Sequence, residues 1–100
     1  GVPAPSSVTK YPLRYVYDVG IPAVCWAHDG AGRCSVRVKA GGKVIAKADA
    51  DLKDGERSTL RPRVTNAAID AVKKRGKLLA TVSVTMNGVA QPGWKPLLTR

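Results

Sequence analysis

Phenylalanine is absent from this 100-residue chain, whose five aromatic residues are Tyr11, Tyr15, Tyr17, Trp26 and Trp94. With so few large apolar side chains, and alanine at many inward positions, the core is expected to be thin and each strand to add modest stability. Histidine occurs once, as His28, and cysteine twice, as Cys25 and Cys34. A structural zinc site needs four such ligands, so this set is too small. No apolar run approaches the roughly 18 residues of a membrane-spanning helix. No glycine-rich loop leads into the helix that a phosphate cradle requires, and Gly30-Ala31-Gly32 runs into an alternating segment instead. Acidic residues are scarce as well, seven against seventeen Lys and Arg, leaving a net charge of +10.

What the chain has is alternation. Cys34, Val36, Val38 and Ala40 oppose Ser35, Arg37 and Lys39. Val44, Ala46, Ala48, Ala50 and Leu52 oppose Lys43, Ile45, Lys47, Asp49 and Asp51. Leu78, Ala80, Val82, Val84 and Met86 oppose Leu79, Thr81, Ser83 and Thr85. Period two is the mark of a half-buried strand. Leu13, Tyr15, Tyr17 and Val19 predict a first strand over residues 11–19, and a second covers about 23–27. Gly41-Gly42 and Asn87-Gly88 each join two alternating runs as hairpin turns. Lys53-Asp54-Gly55-Glu56 makes another turn, and a strand from Arg57 to Val64 is weakened or confined to an edge by Pro62. The pattern changes once. Thr65 can cap a short helix through Arg75 whose stripe is Ala68, Ile69, Ala71 and Val72, with Lys73-Lys74-Arg75 in its last turn and Gly76 ending it. A final irregular strand carries Gln91-Pro92-Gly93-Trp94. The expectation is an all-β, two-sheet antiparallel sandwich of about seven strands with one short helix. Residues 1–10, rich in Pro and Ser, read as a flexible arm and residues 11–100 as the domain. The opening Gly1-Val2-Pro3-Ala4-Pro5 reads as a mature or trimmed start.

Cys25 and Cys34 flank a turn-forming segment, the layout of a crosslinked hairpin or adjacent-strand pair. The alternative is two buried thiols. A bond would remove roughly 2.7 kcal/mol of unfolded-chain entropy and would imply an oxidising compartment. Other chemistry is thin. Cys25 with His28 as thiol and base lacks an orienting third group, and Cys34 competes for the thiol. His28-Asp29 lacks further metal ligands. Asp49, Asp51, Asp54 and Glu56 are interleaved with Lys47, Lys53 and Arg57, which suits a solvated turn better than a calcium site. No enzymatic activity, metal or cofactor is expected.

The ordered series Cys34-Ser35-Val36-Arg37-Val38, Gly42-Lys43-Val44-Ile45-Ala46-Lys47-Ala48, Leu52-Lys53-Asp54-Gly55, Leu60-Arg61-Pro62-Arg63-Val64-Thr65-Asn66-Ala67-Ala68 and Gly76-Lys77-Leu78-Leu79-Ala80-Thr81-Val82-Ser83-Val84 resembles immunoglobulin-like accessory modules of secreted actinobacterial proteins. The resemblance spans about residues 24–86. It implies an immunoglobulin-like β-sandwich with a structural, adhesive or spacer role at the cell surface or secreted, and it supplies no catalytic residue. Such sandwiches also decorate phage virions, which makes the virion exterior the alternative location.

The charge is the functional signal. Arg37, Lys39, Arg57, Arg61 and Arg63 on strands, with Lys73, Lys74, Arg75 and Lys77 at the helix end, are expected to form a basic face. Its partners would be an anionic cell-surface polymer or neighbouring protein subunits, with non-specific nucleic-acid binding as a further alternative. The bland account is that these charges keep the domain soluble. Among the aromatics, spacing of two assigns Tyr15 and Tyr17 to the core, leaving Tyr11 and Trp94 as contact candidates. The Pro-rich arm offers a route to homo-oligomers through capture by an adjacent copy.

Overall fold

The inward set Cys34, Val36 and Val38 and the inward set Ala23 and Cys25 bury themselves against each other, and this pairing of faces organises the domain. The computed structural model describes residues 10–100. The expected arm therefore lies, apart from Lys10, outside the described residues. In chain order the elements are β1 (Lys10–Pro12), α1 (Leu13–Asp18), β2 (Ala23–Trp26), β3 (Gly32–Ala40), β4 (Lys43–Leu52), β5 (Arg57–Leu60), α2 (Asn66–Arg75), β6 (Lys77–Leu79), β7 (Thr81–Met86), β8 (Val89–Trp94) and β9 (Leu97–Thr99). A four-stranded antiparallel sheet of order β4-β3-β7-β8 packs on the antiparallel pair β2-β5. With β2 and β5 in one layer and β3, β7 and β8 in the other, the strand order is that of an immunoglobulin-like sandwich, β4 being added beside β3. A small third sheet, β1-β9-β6, extends one end, and its β1-β9 pair is parallel.

Both hairpins form where expected. At the β7–β8 turn Asn87 and Gly88 take φ of 52° and 80°, the twist-matched geometry that Asn-Gly favours. Thr65 caps α2, its Oγ1 accepting from the Ala68 N–H at 3.3 Å, and Gly76 ends the helix in the left-handed region. Ala68 and Val72 turn into the core.

Four local readings are corrected. Residues 13–18 are helical instead of extended, so the described chain has two helices. In α1, Leu13 and Val16 share the inward face while Tyr15 packs against the core rim and Tyr17 is 54% exposed. Residues two apart on a helix diverge by about 200°, which is why the core assignment of Tyr17 fails. In β4 the phase slips. Val38 faces Ala46 but Lys39 faces Val44, so Ile45 is an extra residue without a partner. This bulge turns Ile45 into the core and leaves Val44 46% exposed. Residues 77–86 divide at Ala80 into two strands of different sheets, and the Ala80 N–H donates to the Pro96 carbonyl across the switch. Finally, the Cys25–Cys34 disulfide, with Cα atoms 6.2 Å apart, joins the two layers of the sandwich instead of two neighbouring strands of one sheet.

Gly93 marks a close approach. A Cβ there would collide with the Val82 carbonyl, at the irregular register where β8 rides over β7.

Candidate functional site

Strand register divides the sandwich into two ends. Gly32 opposite Leu52, Cys34 opposite Met86 and Trp26 opposite Arg57 mark the turn end, closed by the connections at residues 27–31, 53–56 and 87–88. Lys39 opposite Thr81, Val82 opposite Trp94 and Ala23 opposite Leu60 mark the other. There the β3–β4 hairpin, residues 61–65, both helices and the β1-β9-β6 sheet form a cap.

Charge divides the same way. The cap end carries Lys10, Arg14, Lys39, Lys43, Arg61, Arg63, Lys73, Lys74, Arg75, Lys77, Lys95 and Arg100, twelve exposed cations against the two carboxylates of Asp18 and Asp70, a net of +10. The turn end carries Arg33, Lys53 and Arg57, three cations against the four carboxylates of Asp29, Asp51, Asp54 and Glu56, a net of −1. Between them, at mid-strand, Arg37 lies opposite Lys47 and next to Asp49, a net of +1. Among the described residues no ion pair lies at the cap end. Arg37 pairs with Asp49 at 2.9 Å, Arg33 with Asp51 at 3.3 Å, and His28 with Asp29 at 3.1 Å. The Ser35 hydroxyl and the Arg37 guanidinium, both bonded to the Asp49 carboxylate, hold it below its ordinary pKa.

Seven of the nine expected basic-face residues therefore share the cap end: Lys39, Arg61, Arg63, Lys73, Lys74, Arg75 and Lys77. Arg37 does not join them, and its charge is taken up by Asp49. Arg57 is also apart, stacked 4.7 Å over the Trp26 ring on the outer face of the β2-β5 layer. Two cap cations have internal contacts. Arg61 donates to the Tyr15 hydroxyl at 3.3 Å, and Arg100 donates to the Lys73 carbonyl at the end of α2.

Sequence reasoning missed Trp26 as a surface residue. It is 49% exposed, and its ring lies 4.8 Å from that of His28. The signal was available, because Cys25 facing inward commits Val24 and Trp26 to the outer face. Tyr11 is half-buried and stacked on Tyr15, ring centroids 5.8 Å apart, and burial first and Tyr15 second push its phenol pKa up. Trp94 is likewise half-buried against the core. Cys25 has no free thiol for His28 to activate. Of the four turn carboxylates, Asp49 and Asp51 meet arginines, and Glu56 accepts from the Lys53 N–H at 2.8 Å. Among the described residues, no cluster of three His, Cys, Asp or Glu is placed to hold a metal ion, and no helix is long and apolar enough to cross a membrane.

No protein-family model, curated protein or solved structure matches this chain, so its site has to be read from its own geometry.

Proposed function

We propose that this domain is a non-enzymatic extracellular module, of the kind its resemblance to actinobacterial accessory domains implies, that uses its cap end to bind an anionic cell-surface polymer. One observation carries the reading: twelve exposed cations crowd one end of the sandwich while the charges of the other end nearly balance. Like charges gathered on one surface repel and cost stability, so their segregation calls for a compensating anion. Part of the cluster has a local account, since Lys73, Lys74 and Arg75 complement the C-terminal dipole of α2. That account does not extend to Lys39, Lys43, Arg61, Arg63 or Lys95, which lie outside the helices. β4 alone is ten residues, about 33 Å at strand rise, whereas charges are screened within about 8 Å at physiological salt. The two ends thus act separately on a ligand. The inter-layer disulfide supports an oxidising setting, secreted or at a cell surface.

Retention on a polyanion column tests this reading. Lys73→Gln with Lys74→Gln should elute at clearly lower salt than the wild type, and Lys53→Gln with Arg57→Gln, which removes the same charge from the turn end, should elute close to it. Equal losses would reduce the effect to net charge and sink the reading. Co-sedimentation with anionic cell-wall material, lost in the first variant and kept in the second, would support it further.

A further inference from the structure

The β4 bulge has built a groove beside the edge of the four-stranded sheet. Ile45, left without a partner on β3, has its carbonyl free of the ladder, and that carbonyl accepts from the Thr65 N–H at 2.9 Å. The bond ties residues 63–65 alongside β4. Lys47 from the strand, with Arg63 and Thr65 from the segment ahead of α2, then line one depression of about 320 Å³, floored by Val44 and Ala46. Both ionisable groups lining it are cations, and it holds no carboxylate. Thr65 also brings the start of α2 to the groove, and its Oγ1, already accepting from Ala68, still has a proton to donate.

We infer that this groove is a subsite for a single tetrahedral oxyanion, a phosphate or sulfate group of the bound polymer. The inference rests on the polyanion reading of the cap end and assigns one place where that polymer is gripped. Arg63 offers a planar fork of N–H donors suited to two oxygens of such a group, Lys47 a mobile point charge, and Thr65 a hydroxyl. The positive end of the ten-residue helix α2 adds to the same field. At the opposite end of α2, Lys73 lines a depression of about 370 Å³ that also holds the Asp70 carboxylate, which disfavours an anion there, so Lys73, Lys74 and Arg75 act through their field.

Amide chemical shifts followed during titration with inorganic phosphate, inorganic sulfate and, as a carboxylate control, acetate test this at low ionic strength. Phosphate or sulfate should give saturable shifts at residues 44–47 and 63–68 in the millimolar range, with acetate much weaker. Lys47→Gln with Arg63→Gln should abolish the saturation while the remaining resonances report an intact fold, and Lys73→Gln with Lys74→Gln should leave it in place. Whichever of phosphate and sulfate saturates at lower concentration identifies the group. Shifts scattered over all cationic residues, or acetate as effective as the two oxyanions, would overturn the subsite even if polyanion-column retention of the wild type is unchanged. Loss of column retention altogether would overturn the broader reading instead.

Discussion

The two ends of this sandwich share one backbone framework and treat charge in opposite ways. From the turn end to mid-strand, arginines and carboxylates alternate across the β3-β4 ladder, so that Arg33 and Arg37 meet Asp51 and Asp49. Arg33 and Arg37 thus have carboxylate partners, and Arg57 has the Trp26 ring. At the cap end Asp18 and Asp70 are the only side-chain carboxylates among twelve cations, and neither forms an ion pair among the described residues. Exposed pairs contribute little to stability, typically below about 1 kcal/mol, so the turn end is not held together by its ion pairs. What differs is the field each end presents to solvent, and that difference is the functional content of the surface.

The comparison also separates what stabilises each end, and the largest effect belongs to the staple between layers. Cys25→Ala with Cys34→Ala should lower the unfolding free energy by roughly 3 kcal/mol in a urea titration, with polyanion retention at native conditions unchanged. Retention that falls with the disulfide would show that the two ends are coupled. At the cap end, Thr65→Ala removes the side-chain acceptor for the Ala68 N–H and should cost about 1 kcal/mol, read by the same titration. A loss near zero would mean that packing of Ala68 and Val72 alone holds the helix. The smallest effect is electrostatic and lies at mid-strand. Because Asp49 titrates below its ordinary value of 3.8 when folded, its contribution is fully present above that value and is lost as pH falls through the lower folded pKa. Asp49→Asn should therefore flatten the acid limb of the stability profile in that window and leave the neutral region little changed. An acid limb of unaltered steepness would remove Ser35 and Arg37 as the cause.

Much of the fold was legible because alternation and turn chemistry agree over residues 34–43, 46–52 and 81–88. The helix with its Thr65 cap and Gly76 stop was legible for the same reason, local signals that agree with the tertiary outcome. Three features were not. Residues 13–17 fit both periods over a short span, Leu13, Tyr15 and Tyr17 at strand spacing and Leu13, Val16 and Tyr17 at helical spacing, and only the packing of Val16 and Leu13 selects the helix. The bulge at Ile45 is decided by register against β3, since Val44 and Ile45 are equally apolar and either can fill the inward position. The division of the long run 77–86 between sheets depends on β9 arriving beside β6, a contact between residues eighteen to twenty-two apart in sequence. For the surface, composition announced the excess of cations but could not show that acids and bases had been sorted by end. That sorting appears only when strand directions place residues 49–56 at one pole and 61–77 at the other. The oxyanion groove was hidden for a related reason, because Lys47 and Arg63 become neighbours only through the bulge.

Paramagnetic broadening by a short polyphosphate carrying a nitroxide at one end tests the central claim most directly. Segregated charge predicts selective loss of amide signal at residues 39–47, 61–66, 73–77 and 95, with residues 28–31, 53–56 and 87–89 unaffected at physiological salt. Broadening of equal depth at both ends, or deepest around Trp26 and Arg57, would contradict it.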